Sequence, residues 1–188
     1  MKKQRVAVLG STGSIGVNTL DVIARHPDRF EVVALTAATQ VDVMLAQCVQ
    51  FKPRVAVMAS APHARELAEK IKQKGLTTQV DQAPEAIESV ACSGEVDTVM
   101  AAIVGAAGLA PCLAAARAGK HVLCEKPIAI DANQAAELRE LAGQVHIMEA
   151  FMVRFHPQWL RARELVRAGE LGEVRSIQTY FSYFNRDP

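Results

Sequence analysis

The stretch VAVLGSTGSIG, residues 6–16, decides the fold of this chain. It begins with a short apolar run that is typical of a buried strand and stops at Gly10, and a helix is predicted to follow from Ser14 to Arg25. The three glycines have the spacing G-x-x-G-x-x-G, which allows a tight turn and lets the backbone approach a pyrophosphate at the start of a helix. Between a strand and a helix, this pattern predicts a dinucleotide-binding loop. The alternative is a glycine-rich turn that serves only close packing of helix on strand.

The alternation of apolar strand and helix continues along the chain. Strands are predicted at residues 6–9, 32–35, 55–58, 98–104, 121–124 and 145–148. Helices are predicted at residues 14–25, 41–51, 62–74, 84–92, 109–118, 131–142 and 156–168. Strands that are apolar throughout indicate a parallel sheet covered on both faces, and right-handed crossovers then give a doubly wound α/β fold of the Rossmann type. We therefore expect an NAD(P)-binding domain over residues 1–150.

The end of the chain has a different pattern. Apolar and polar residues alternate over residues 174–184, which predicts a strand with one buried face. We expect residues 151–188 to be the helix and first strand of a second α+β domain that is incomplete. The apolar face of this strand must be covered, so we expect the segment to fold back on the chain, to pair with a second copy as a homodimer, or to aggregate.

Composition excludes several classes of protein. The 188 residues are 50% hydrophobic and carry a net charge of +1, so the chain can bury a core and offers no basic surface for nucleic acid. It has no apolar run long enough to cross a membrane and no signal-peptide pattern. Its four cysteines form no C-x-x-C pair, so we expect buried free thiols and a cytoplasmic protein. No metal-binding motif is present.

The segment after the second predicted strand bears on the choice between NAD and NADP. An NAD site usually has an acid there for the ribose 2′-hydroxyl, and an NADP site usually has a basic residue for the 2′-phosphate. Residues 36–40, Thr-Ala-Ala-Thr-Gln, contain neither. Without an acid nothing repels a phosphate, which favours NADP, although the hydroxyl of Thr39 and the amide of Gln40 suit either cofactor. An ordinary polar loop is the alternative.

Further candidates follow predicted strands, at the edge where open α/β sheets bind ligands. Ala102 lies in a run of small residues that leaves room for a ring, although packing explains such residues equally well. Lys126 could hydrogen-bond a substrate carbonyl or hydroxyl and assist proton transfer, and a solvated loop lysine is the alternative. Arg154 and His156 are candidate substrate contacts, and His156 could instead be only a polar residue near a helix start.

Residues 1–120 resemble the N-terminal NADPH-binding domain of the 1-deoxy-D-xylulose 5-phosphate reductoisomerase family. The matching stretches are residues 8–16, 19–22, 32–35, 100–109 and 118–120. This resemblance implies NADPH contacts at Thr12, Gly13, Ser14 and Ile15. Ala38, Thr39 and Gln40 stand where the family has Gly-Lys-Asn, so its lysine is missing. Motif and resemblance together give these candidate cofactor-binding residues: Gly10, Thr12, Gly13, Ser14, Ile15, Gly16, Ala38, Thr39, Gln40, Ala102 and Glu125.

From residue 121 onward that family's pattern is no longer found. Its metal-binding Asp-Ser-Glu segment is absent from this sequence. The stretches 121–127, 148–157 and 171–174 instead resemble the glucose–fructose oxidoreductase and inositol dehydrogenase family. This resemblance implies that Lys126, in Glu-Lys-Pro, is a catalytic or substrate-binding residue. The chain is therefore expected to be chimeric, and truncated before either family's active site is complete.

We expect an NAD(P)-binding oxidoreductase domain that transfers hydride at a hydroxyl or carbonyl carbon of a sugar or sugar phosphate. One alternative is the reductoisomerase reaction of isoprenoid precursor biosynthesis. The other is a dinucleotide-binding module without catalysis.

Overall fold

The computed structural model describes residues 2–103, 108–180 and 182. Its strands are β1 (Gln4–Leu9), β2 (Phe30–Ala37), β3 (Val55–Met58), β4 (Gln79–Gln82), β5 (Thr98–Ala101), β6 (His121–Cys124) and β7 (Ile147–Glu149). Its α-helices are α1 (Ser14–Arg25), α2 (Val41–Phe51), α3 (Ala61–Gln73), α4 (Glu85–Cys92), α5 (Leu109–Arg117), α6 (Ala132–Leu141) and α7 (Pro157–Arg167). A 3₁₀ helix spans Met152–Phe155. The chain divides into two compact units, Met1–Ala150 and Phe151–Pro188.

The first unit contains a seven-stranded sheet with the order β4-β3-β2-β1-β5-β6-β7. Every neighbouring pair is parallel. The chain adds β2, β3 and β4 on one side of β1 and then returns to place β5 on the other side. This reversal opens a crevice at the carboxyl ends of β1 and β5, which is where such sheets bind ligands. The doubly wound α/β fold is confirmed.

Helices cover both faces of the sheet because its strands are apolar on both faces. Val8 packs in a cluster with residues of α1, α2 and α3, such as Leu20, Met44 and Leu67. Its neighbour Leu9 packs in a second cluster with residues of α4 and α5, such as Cys112. Successive strand side chains point to opposite faces, so β1 anchors both halves of the core. The loop that follows β1 is therefore attached to the central strand of the sheet.

Three cysteines, Cys48, Cys112 and Cys124, are buried, Cys92 is half-buried, and all four are free. Burial raises the pKa of the Cys48 thiol to about 11, so this thiol stays protonated near neutral pH. Among the described residues no helix is long and apolar enough to cross a membrane. The described part of the chain also contains no cluster of three or more His, Cys, Asp or Glu side chains that could hold a metal ion.

Sequence and structure differ most at two elements, and less at the strands predicted over residues 98–104 and 145–148, which are Thr98–Ala101 and Ile147–Glu149. The sequence analysis missed β4, whose residues Gln79–Gln82 include one apolar side chain, because an edge strand has only one strand neighbour and tolerates polar residues. The strand predicted at 174–184 is wrong for residues 174–180, which have no regular secondary structure. There Ile177 is 79% and Tyr180 is 93% exposed, and no described strand pairs with this segment to satisfy its backbone groups. Residues 181 and 183–184 of that prediction, like residue 104 of the predicted fourth strand, lie outside the described residues.

Candidate dinucleotide-binding site

The loop between β1 and α1 takes a shape that requires glycine at two positions. Gly10 has a φ of +80°, and a Cβ there would lie 3.0 Å from the carbonyl oxygen of Ala102. Gly16 lies in the first turn of α1, where a Cβ would lie 2.3 Å from the carbonyl oxygen of Gly10 and 2.5 Å from Cα of Ser11. These distances leave no space for a side chain. The two outer glycines therefore hold the helix start close to the end of the strand.

The middle glycine has a different environment. Gly13 is the N-cap of α1, and a Cβ there would meet only the carbonyl oxygen of Gly10, at 3.6 Å. The first bond of the helix runs from the N–H of Val17 to the carbonyl of Gly13, so the N–H groups of residues 14–16 have no partner within the helix. The result is an open helix N-terminus with a partial positive charge, which suits an anionic group.

The loop is bonded to the end of β2. The N–H of Gly10 donates to Oγ1 of Thr36 over 2.9 Å, and the N–H of Ser11 donates to the Thr36 carbonyl over 2.8 Å. Thr36 is buried, so its hydroxyl serves this loop rather than solvent. Sequence analysis placed Thr36 in the segment after the second strand and considered that segment only for its contact with the cofactor, because a threonine there gives no signal of a bond to the glycine loop.

A cleft of about 590 Å³ lies against the loop. Six of the predicted cofactor-binding residues line it: Gly10, Thr12, Gly13, Ala38, Gln40 and Ala102. Five do not: Ser14, Ile15, Gly16, Thr39 and Glu125. Ser14 is exposed beside the loop, and Gly16 is buried beneath it. The backbone N–H groups of both residues belong to the open N-terminus of α1. Thr39 is exposed between two residues of the lining.

The structure adds residues that sequence reasoning missed. These further lining residues are Thr36, Ala37, Ala59, Pro84, Ile87, Glu88, Ile103, Ala110 and Pro111. Ala37, Ala38 and Ala59 are brought together because the N–H of Ala59 donates to the carbonyls of Ala37 and Ala38, over 3.0 and 3.4 Å. Pro84 and Ile87 come from the start of α4. They belong to no sequence motif that would have revealed this position. Only the order of strands places these elements around one cleft.

Glu125 and Lys126, after β6, are not among the residues that line the cleft. The N–H of Glu125 donates to the carbonyl of Ala101 over 2.9 Å, which extends the pairing of β6 with β5, and Glu125 is buried. Lys126 is exposed. In the same region the thiol of Cys124 donates to the carbonyl oxygen of Glu125 over 3.3 Å.

Arg154 and His156 belong to the second unit. His156 is the N-cap of α7, and its Nδ1 accepts a hydrogen bond from the N–H of Gln158 over 3.3 Å. This is the structural alternative that the sequence left open for His156. Arg154 is exposed and lines a pocket of about 260 Å³ with Trp159 and Arg163. The substrate roles of both residues remain predictions.

Comparison with known proteins identifies the first unit. Residues 6–126 match the family model described as 1-deoxy-D-xylulose 5-phosphate reductoisomerase. The chain belongs to this family. Its sequence is 58% identical over 120 residues to the reductoisomerase of Janthinobacterium sp. (strain Marseille), which covers 64% of this chain and 31% of that protein. The chain thus spans about a third of the length of this curated relative.

Solved structures agree with the reductoisomerase assignment, and a structure outside that family has a similar fold. The reductoisomerase of Zymomonas mobilis, solved in complex with NADPH, superposes with a TM-score of 0.70 at 34% identity and covers 79% of this chain and 39% of that one. An apo scyllo-inositol dehydrogenase from Lactobacillus casei superposes with a TM-score of 0.62 at 20% identity and covers 92% of this chain and 43% of that one. This second likeness shows the fold alone. The predicted resemblance to the reductoisomerase family is confirmed, and its match extends to residue 126, six residues beyond the predicted end at residue 120.

Proposed function

We propose that the cleft beside the glycine loop binds NADP(H) and that this chain supplies the cofactor-binding part of an oxidoreductase. The observation that carries the proposal is the bare Gly13 at the open N-terminus of α1, on the wall of a cleft of about 590 Å³. A pyrophosphate needs close approach to backbone N–H groups, and this loop offers it. Membership of the reductoisomerase family and the NADPH complex of the Zymomonas mobilis relative support the same assignment.

We propose that the adenine and nicotinamide rings occupy different parts of the cleft. The apolar side chains of Ala38, Ala59 and Ile87 in the lining suit the adenine ring. Ala102 and Pro111, beyond the carboxyl end of β5, leave room for the nicotinamide. NADP is proposed over NAD because residues 38–40 contain no acid to repel a 2′-phosphate.

When bound, a reduced nicotinamide supplies a hydride to a carbonyl carbon, and an oxidised one accepts a hydride from a hydroxyl-bearing carbon. We propose a sugar or sugar phosphate as the substrate. Lys126 would hold the proton that the substrate oxygen gains or loses, since it is exposed directly after β6. Arg154 and His156 are proposed as substrate contacts.

A second candidate function is the reductoisomerase reaction itself. The match of residues 6–126 to that family favours it over other sugar oxidoreductases. A third candidate is a dinucleotide-binding module without turnover, because the proposed catalytic Lys126 is not among the residues that line the cleft.

Fluorescence titration with NADPH and NADH tests the binding proposal directly. We expect saturable binding of NADPH, tighter than that of NADH. If neither nucleotide binds at high micromolar concentration, the proposal is refuted.

Turnover assays separate the three candidates. Oxidation of NADPH by 1-deoxy-D-xylulose 5-phosphate with Mg²⁺ supports the reductoisomerase, and turnover with other sugars supports the general oxidoreductase. Binding without any turnover supports the module. Where turnover exists, Lys126→Met should abolish it without changing NADPH affinity, whereas Lys74→Met, at an exposed lysine that ends α3, should change neither.

Location and assembly complete the proposal. The four free cysteines support a reducing compartment, and we propose the cytoplasm. The exposed apolar side chains of Val174 and Ile177 support pairing of two copies through residues 174–184. Light scattering over a range of concentrations tests this pairing, and a constant monomer mass would refute it.

A further inference from the structure

Gln47 is a buried polar residue of α2, and both of its hydrogen bonds go to one residue of the glycine loop. Its Nε2 donates to the carbonyl oxygen of Ser11 over 2.8 Å. The hydroxyl of Ser11 donates back to Oε1 of Gln47 over 2.7 Å. Gln47 is 7% exposed and Ser11 is fully buried. The side chain thus clamps a loop residue 36 positions earlier in the sequence.

This clamp completes the anchoring of Ser11. The N–H of Ser11 is already bonded to the carbonyl of Thr36 in β2. With Gln47, the N–H, carbonyl and hydroxyl groups of Ser11 all have partners outside the loop. The next two residues, Thr12 and Gly13, line the cleft, so their position depends on where Ser11 is held.

We propose that Gln47 is a positioning residue for the cofactor: by fixing Ser11 it holds the open N–H groups at the start of α1 where a dinucleotide pyrophosphate binds. This inference rests on the proposed function. A flexible glycine loop pays an ordering cost each time it binds a ligand, and a loop that is already fixed avoids that cost. Gln47 does not line the cleft and acts only through Ser11.

The first test is Gln47→Leu in the full chain, which keeps the volume of the side chain and removes both hydrogen bonds. We expect NADPH to bind about tenfold more weakly, because the loop must be ordered on binding. The matched control is Thr78→Val. Thr78 is also 7% exposed, and its hydroxyl donates to the Pro53 carbonyl over 2.7 Å, at the end of the sheet away from the cleft. This control should lose a similar buried bond and leave NADPH affinity unchanged.

A second ligand separates positioning of the loop from general loosening of the fold. Adenosine 2′-monophosphate carries the adenosine end but no pyrophosphate, so its affinity, measured by NMR titration, should be the same in wild type and Gln47→Leu. Equal loss of affinity for both ligands would overturn the inference, and so would unchanged NADPH affinity in a folded Gln47→Leu.

Ser11→Ala keeps the test decisive if Gln47→Leu fails to fold. It removes one of the two bonds, and we expect a loss of NADPH affinity of about threefold with adenosine 2′-monophosphate unaffected. No change in NADPH affinity in this variant would overturn the inference. If wild type binds no dinucleotide at all, the proposed function fails first; if wild type binds and the variants bind equally well, only the role of Gln47 is refuted.

Discussion

Substitution of alanine at two glycines of the same loop should separate its structural role from its binding role. In Gly16→Ala, the new Cβ would lie 2.3 Å from the carbonyl oxygen of Gly10 and 2.7 Å from the carbonyl carbon of Ser11. Ordinary contacts between such atoms are about 3.5–4.0 Å, so helix and loop must separate by more than about 1 Å. The contacted atoms belong to the backbone and cannot rotate away.

The loss of folding stability can be taken from the effect of overpacking in other protein cores. Insertion of a methyl group into a packed site typically costs about 1–3 kcal/mol, and a contact this short with rigid backbone belongs at about 3 kcal/mol. For a protein of this size that loss lowers Tm by about 6–12 °C. The displaced loop should also lose NADPH binding.

Gly13→Ala should behave in the opposite way. Its Cβ would meet a single atom at 3.6 Å, and its φ of −76° suits alanine. Stability should change by no more than about 0.5 kcal/mol, because a poorer N-cap and a less flexible unfolded chain have opposite effects. NADPH affinity should nevertheless fall by at least about tenfold, since the methyl group occupies the side from which a pyrophosphate approaches.

Urea unfolding followed by circular dichroism gives the stabilities, and fluorescence titration gives the NADPH affinities. Gly143→Ala is the control, because no atom lies within 4 Å of the new Cβ. If Gly16→Ala is as stable as this control, α1 does not approach the loop as closely as these distances require. If Gly13→Ala binds NADPH like wild type, the pyrophosphate does not lie against Gly13.

Three further predictions test other parts of the molecule. Thr39→Lys, which restores a lysine where the reductoisomerase family has one, should tighten NADPH about threefold and leave NADH unchanged in parallel titrations; equal effects would refute this placement of the 2′-phosphate. Arg5 donates three hydrogen bonds to Asp97, two from its guanidinium and one from its backbone N–H, and they hold the pKa of the Asp97 carboxyl below its usual range. The stabilisation from these bonds is complete above about pH 4 and is lost as the pH falls further. Asp97→Asn should therefore lower Tm at pH 7 and lose less stability than wild type on acidification, and parallel Tm curves would contradict the pairing. Asp131 accepts hydrogen bonds from the N–H groups of Asn133 and Gln134 at the start of α6, so Asp131→Ala should cost about 1 kcal/mol in urea unfolding, with unchanged stability counting against the cap.

Much of the fold could be predicted because its signals are local. The helix at Ser14–Arg25 begins after a glycine loop, and the structure has the same bounds. The strands at Val55–Met58 and His121–Cys124 are apolar runs between turn residues, and they too have the predicted bounds. The β4 strand carries no such signal, since Gln79–Gln82 is a polar edge strand.

The end of the chain shows where a local pattern is insufficient. Residues 174–184 alternate as a strand should, but residues 174–180 form none. A strand is stabilised by the neighbour that receives its hydrogen bonds, and no strand among the described residues pairs with this segment. The alternation of apolar and polar residues predicts which face of a strand would be buried. It does not predict whether a neighbouring strand is present to pair with it.

The sequence by itself determined the loop: its three glycines, its place between strand and helix, and therefore the end of the sheet at which a ligand binds. Only the tertiary structure decided what surrounds that loop. Ile87 reaches the cleft because the chain, after β4, crosses back to place β5 on the other side of β1. Gln47 reaches Ser11 because α2 packs on the same face of the sheet as α1. In the sequence Gln47 is one more polar residue of an amphipathic helix. Its role depends on burial and on the backbone groups it meets, and both are set by packing between distant elements.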